Sequence, residues 1–129
     1  HGPDHMTVRL FGTALESVSG LAPTAQNLMT LYAPGVQALA RKLVWNTVAH
    51  PVGYICTRHV RTGRGLLLDC PSIGLPIGLE DEHLLCFITY ANISSAAAAL
   101  SAKDNFAVVE DVRFEHWVDI GAGIPPGPP

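Results

Sequence analysis

Residues 33–45, APGVQALARKLVW, constrain the fold more than any other stretch because they fit two incompatible structures. A turn signal, Pro34-Gly35, opens the stretch. Small apolar residues follow, interrupted only by Gln37, Arg41 and Lys42, and end on one large anchor, Trp45. Val36, Leu39, Ala40, Leu43 and Val44 recur at the i, i+3, i+4, i+7, i+8 spacing of an amphipathic helix. As a strand, the same residues put Leu39, Leu43 and Trp45 on one face with Gln37 and Arg41, and Ala38, Ala40 and Val44 on the other, a weaker alternation. The local pattern taken alone favours helix.

Elsewhere the patterning is that of short strands. Thr7-Val8-Arg9-Leu10-Phe11-Gly12-Thr13 alternates well enough for a first strand, and residues 16–24 have loop composition. Asn27 to Tyr32 is apolar and leads into Pro34-Gly35. After His50-Pro51, where the residue before proline is pushed toward extended backbone, Tyr54-Ile55-Cys56-Thr57-Arg58-His59-Val60 reads as a strand. Arg61-Thr62-Gly63-Arg64 makes a turn and Gly65-Leu66-Leu67-Leu68-Asp69 returns, the clearest hairpin in the chain. Residues 70–78, CPSIGLPIG, read as an apolar loop packed on the domain. Leu84-Leu85-Cys86-Phe87-Ile88-Thr89-Tyr90 is a buried-looking strand segment. Short strands and frequent turns predict an all-β fold, a twisted antiparallel β-barrel or sandwich forming a single domain over residues 6–120. Residues 1–5 read as a cloning remnant, and the Pro/Gly-rich residues 121–129 as a tail or linker, since proline lacks an amide donor.

At 129 residues and 13.7 kDa the chain suits one core. Hydrophobic residues make up 48% and charged residues 15%, which leaves apolar surface for a partner and suits a subunit. Net charge is −3, and the basic residues are scattered except for Arg58, Arg61 and Arg64 near the hairpin. Nucleic-acid binding by phosphate neutralisation needs a basic stripe, so that class is excluded for this domain. The arginine group reads either as a solvated hairpin end or as a contact for an anionic cell-surface glycan or receptor. No apolar run reaches the roughly 18–20 residues of a membrane span, and no signal-peptide pattern occurs near the start.

Residues with chemical potential are dispersed. Glu80, Asp81 and Glu82 are adjacent acids that suit a solvated rim better than an acid–base pair. His83 and Cys86, three apart, fall on opposite faces of a strand, which disfavours a nucleophilic pair. His50, His59 and His116 do not form a ligand set. Cys56, Cys70 and Cys86 are expected to be free thiols, a bridge from Cys70 or between chains being the alternatives. No catalytic motif appears, and no cofactor or metal site is expected. Asn92-Ile93-Ser94 is a candidate N-glycosylation sequon.

Two longer blocks carry a resemblance. The series Ala33-x-Gly35-x-Gln37-Ala38-x-Ala40-Arg41-x-Leu43-x-Trp45 resembles the start of the central strands in the protruding domain of hepatitis E virus capsid proteins. Ala96-Ala97-Ala98-Ala99-Leu100, a short turn, and Phe106-Ala107-Val108-Val109-Glu110-Asp111 resemble that domain's last interface strand, turn and following strand. Ile88-Thr89-Tyr90 and Arg64-Gly65-Leu66 match between them. The likeness spans residues 7–115, with its strong motifs in about a quarter of the chain. The loops depart from the mammalian viruses' pattern and point to a distant hepevirus branch such as the avian one. This resemblance implies a strand at residues 33–45, against the local helical pattern.

It further implies a non-enzymatic capsid surface (spike) domain on the virion that homodimerises, attaches to a host-cell receptor or glycan and is recognised by neutralising antibodies. Synthesis would take place in the host cytoplasm or secretory pathway. The family's twofold contact maps onto Ala96, Ala97, Ala98, Ala99, Leu100 and Ser101, whose alanines lack bulk and permit close approach of a second chain. A bland alternative is an internally packed strand. The rival from another class is a small β-sandwich carbohydrate-binding module using Trp45, Tyr54 or Trp117 as a sugar-stacking platform.

Overall fold

The computed structural model describes residues 5–10, 12–13, 23–62, 65, 67–77, 86–91 and 106–129, with backbone alone at 86–91 and 106–107. Four antiparallel strands form its main body: β1 (Gly53–Thr62), β2 (Leu67–Ile77), β3 (Cys86–Ala91) and β4 (Phe106–Val118), side by side in the order β3-β2-β1-β4. A helix, α1 (Gln37–Ala49), lies against β1, β2 and β3. Strand predominates and the all-β class expected from the sequence holds. Among the described residues the sheet is open and does not close into a barrel.

Residues 33–45 are the main correction. Pro34–Val36 forms a 3-10 turn with proline at its start, and α1 follows directly. The strand implied by the resemblance is absent, because the helical stripe finds an apolar surface to cover. Ala40, Leu43, Val44 and Thr47 are its buried residues, at i, i+3, i+4 and i+7. Gln37 anchors the first turn: its Nε2 donates to the carbonyls of Met29 and Tyr32, each at 3.2 Å, and its Oε1 accepts from Arg41 Nη2. His50 takes an extended conformation before Pro51 and ends the helix.

The hairpin expectation holds, with Arg61 opposite Leu67 and Tyr54 opposite Gly74 across β1 and β2. The expected loop at residues 70–78 is instead strand through Ile77. Its two prolines are tolerated for a positional reason. Pro71 lies outside the stretch of β2 that pairs with β3, and Pro76 lies outside the stretch that pairs with β1. Each therefore occupies a position with a single ladder neighbour, the edge-like setting in which proline is found within sheets.

Residues 7–10 form no strand; Thr7 makes one bridge to Asn27, and Leu10 is 87% exposed. The apolar stretch before Pro34 is a 3-10 turn, Leu28–Leu31, capped by Asn27, whose side chain accepts from Met29 N. The chain then touches the outer side of β4 through Ala33 N, which donates to Val109 O. A single core results, in which Met29, Tyr32, Val36, Ala40 and Leu43 from the turns and helix meet Tyr54, Cys56, Val112 and Trp117 from the sheet.

Candidate functional site

The pleat of β1 sorts its residues between two surfaces. Tyr54, Cys56, Arg58 and Val60 are buried toward the core, while Ile55, His59 and Arg61 are only partly covered. Arg58 and Arg61, grouped in the sequence, are thereby separated. Arg58 is 8% exposed, its Nε donating to Tyr32 Oη at 3.1 Å and its Nη2 to Tyr54 Oη at 3.2 Å. It is a structural cation of the core and is not available to a surface glycan, which corrects the expectation for this residue. Burial, the largest influence, opposes its charge; Tyr32, Tyr54 and Cys56 outweigh that and hold its pKa above the ordinary value.

Arg61 points outward and forms a two-pronged pair with Glu110 of β4, through Nε to Oε1 and Nη2 to Oε2, while Nη1 donates to Gly65 O at 3.0 Å. Its hydrogen bond holds the Glu110 carboxyl below the usual range. On the same outward face Thr57 Oγ1 donates to Glu115 Oε1 at 2.9 Å, and this bond, with Arg113 3.4 Å away, lowers the Glu115 pKa. His59 Nδ1 donates to Asp69 Oδ1 at 2.6 Å. The outward face thus carries polar links between β2 and β1 and between β1 and β4.

Arg64, Asn92 and the proposed dimer strand, Ala96, Ala97, Ala98, Ala99, Leu100 and Ser101, lie outside the described residues, as do Glu80, Asp81, Glu82 and His83. Cys56 and Cys70 are free, buried thiols whose pKa values are raised by burial against the opposing influence of Arg58. Among the described residues no group of three or more His, Cys, Asp or Glu is arranged to hold a metal, and no helix is long and apolar enough to cross a membrane. Of the aromatic residues considered as a sugar platform, Tyr54 is fully buried and Trp117 is 9% exposed, which leaves Trp45 half-buried on α1.

Sequence reasoning missed the feature at the end of β4. Residues 121–129 turn back over that strand: Trp117 Nε1 donates to Gly127 O at 2.8 Å, and His50 Nε2 lies 3.2 Å from Gly123 O. The rings of Phe114 and Trp117 sit 4.8 Å apart at 57°. Between them and the returning segment is an open cleft of about 450 Å³, bordered by Glu115, His116, Ile124, Pro125 and Pro128. The tryptophan near a proline-rich stretch was the available signal. Comparison with protein families, curated proteins and solved structures finds no match for the chain.

Proposed function

We propose that this chain is a non-enzymatic capsid surface domain of the hepevirus kind, which pairs with a second copy and presents its loops to a host-cell receptor and to antibodies. The observation that carries the reading is the later block of the resemblance. Phe106-Ala107-Val108-Val109-Glu110-Asp111 begins β4, and Ile88-Thr89-Tyr90 lies within β3, so both matched segments are strands of one antiparallel sheet. The earlier block at residues 33–45 is helical and lends the reading no support. Within this reading Arg61 and Arg64 remain the arginines for a glycan or receptor contact; Arg61 is directed outward, although Glu110 already engages it, and Arg64 lies outside the described residues.

The test is the solution mass by light scattering of the wild-type chain and of Ala98→Glu at equal concentration. The alanine strand predicts a wild-type dimer and a folded monomeric variant, because a charge at the centre of a self-complementary contact is desolvated twice without a counter-ion. A folded wild-type monomer over a wide concentration range would overturn the dimer assignment.

A further inference from the structure

We propose that the end of β4 is a seat for proline-rich extended segments, engaged in this chain by its own residues 124–128 through Gly127 O and able to take the same segment from a second copy. The chemistry is specific to such a ligand. Proline carries no N–H, so a proline-rich chain offers carbonyl acceptors and flat apolar rings, with little conformational freedom to lose on binding. The seat supplies the matching groups. Trp117 gives one indole N–H, spent on Gly127 O at 2.8 Å. Phe114 and Trp117 give two tilted rings, and Pro125 and Pro128 border the cleft beside them.

The return of the segment is a separate device from the seat. Asp119 Oδ1 accepts from Gly121 N at 2.8 Å and Gly123 N at 3.0 Å, and both glycines have positive φ, +117° and +79°. That turn reverses the chain through a few polar bonds at exposed residues, the kind of short hinge from which a segment is exchanged between copies. The occupant in trans is assigned to a second copy because residues 124–128 are the segment whose Gly127 carbonyl the indole already holds and whose Pro125 and Pro128 border the cleft.

The test uses the chain of 129 residues and reads the Trp117 indole N–H resonance. The receptor is a ¹⁵N-labelled chain with Pro125, Pro126, Pro128 and Pro129 replaced by serine, which keeps Trp117 but weakens its own occupant. The donor is an unlabelled chain carrying Trp117→Ala, which keeps the prolines but lacks the seat. A control donor carries both sets of changes, so that pairing through any other surface is common to both mixtures. The expected result is a concentration-dependent shift of the receptor's indole resonance with the donor and none with the control. Equal spectra with donor and control would overturn the proposal. If Trp117→Ala does not fold, the synthetic peptide Ile-Pro-Pro-Gly-Pro-Pro replaces the donor. It should bind the serine receptor at least about tenfold more tightly than the wild-type chain, which has its own segment as competitor. Trp117→Phe in the receptor should weaken that binding about three- to tenfold, through loss of one hydrogen bond. Equal affinity for receptor and wild type would again refute it.

Discussion

Gly74→Ala should be among the most damaging small substitutions in this chain. A Cβ at that position would lie 2.2 Å from Tyr54 Cε1, 2.3 Å from Cζ and 2.6 Å from the hydroxyl. Carbon atoms normally stop at about 3.5–4 Å, so the ring would have to move by more than about 1 Å. Tyr54 is fully buried, so the ring can move only by displacing its packed neighbours. Its hydroxyl also accepts from Arg58 Nη2, so a displaced ring strands a buried guanidinium. Overpacking costs about 1–3 kcal/mol, and losing a hydrogen bond to a charged group costs about 1.5–3 kcal/mol. Alanine recovers about 0.4–1 kcal/mol by restricting the unfolded chain. The net expectation is a destabilisation of roughly 2–5 kcal/mol. Urea denaturation reads it as a lower midpoint at unchanged slope. Gly35→Ala is the control, because nothing lies within 4 Å of its added Cβ. In a Tyr54→Leu background, which removes the clashing ring atoms, the penalty should largely vanish. A Gly74→Ala cost below about 1 kcal/mol, or the same cost with leucine at position 54, would refute the packing argument.

Further expectations follow from the core cation and the outward charge pairs. Tyr32→Phe keeps the ring but removes the acceptor of Arg58 Nε, and should cost about 1.5–3 kcal/mol in the same assay. Cys56 and Cys70 should resist iodoacetamide at neutral pH in the folded chain and react quickly in urea, as peptide mapping would show; rapid native labelling would contradict their burial. Because those thiols are raised on folding, stability should also decline as pH climbs past their ordinary value of 9.0, where the unfolded chain ionises first. Glu110 is held low in the folded state by Arg61, so its contribution is complete above the ordinary value of 4.5 and is lost as pH falls through the lowered one. Glu110→Gln should therefore be less stable than wild type at pH 7 and converge with it in acid; a constant gap across that range would count against the pairing.

The hairpin was legible in the sequence because its signals are local: alternation in residues 54–60, a glycine-containing turn, and a return strand. The helix was equally legible in the spacing of Val36, Leu39, Ala40, Leu43 and Val44, of which Ala40, Leu43 and Val44 are buried on α1, and the strand expected at residues 33–45 arose only from the resemblance. Helical periodicity prevailed because α1 covers one face of the sheet and buries that stripe.

Other features depended on who sits beside whom. Prolines 71 and 76 look like loop residues until the register puts each where β2 has one ladder neighbour. Arg58 and Arg61 look alike in sequence, yet the pleat sends one to two buried phenols and the other to a surface carboxylate. Residues 121–129 contain too much proline to form helix or strand, and composition alone determined that. Their return onto Trp117 required the indole N–H, the Asp119 turn and the end of β4 to come together in space. The sequence by itself set local periodicity, turns and the places where backbone donors are missing. Only the tertiary structure decided which of those groups are desolvated together, because burial and hydrogen-bond partnership depend on neighbours distant along the chain.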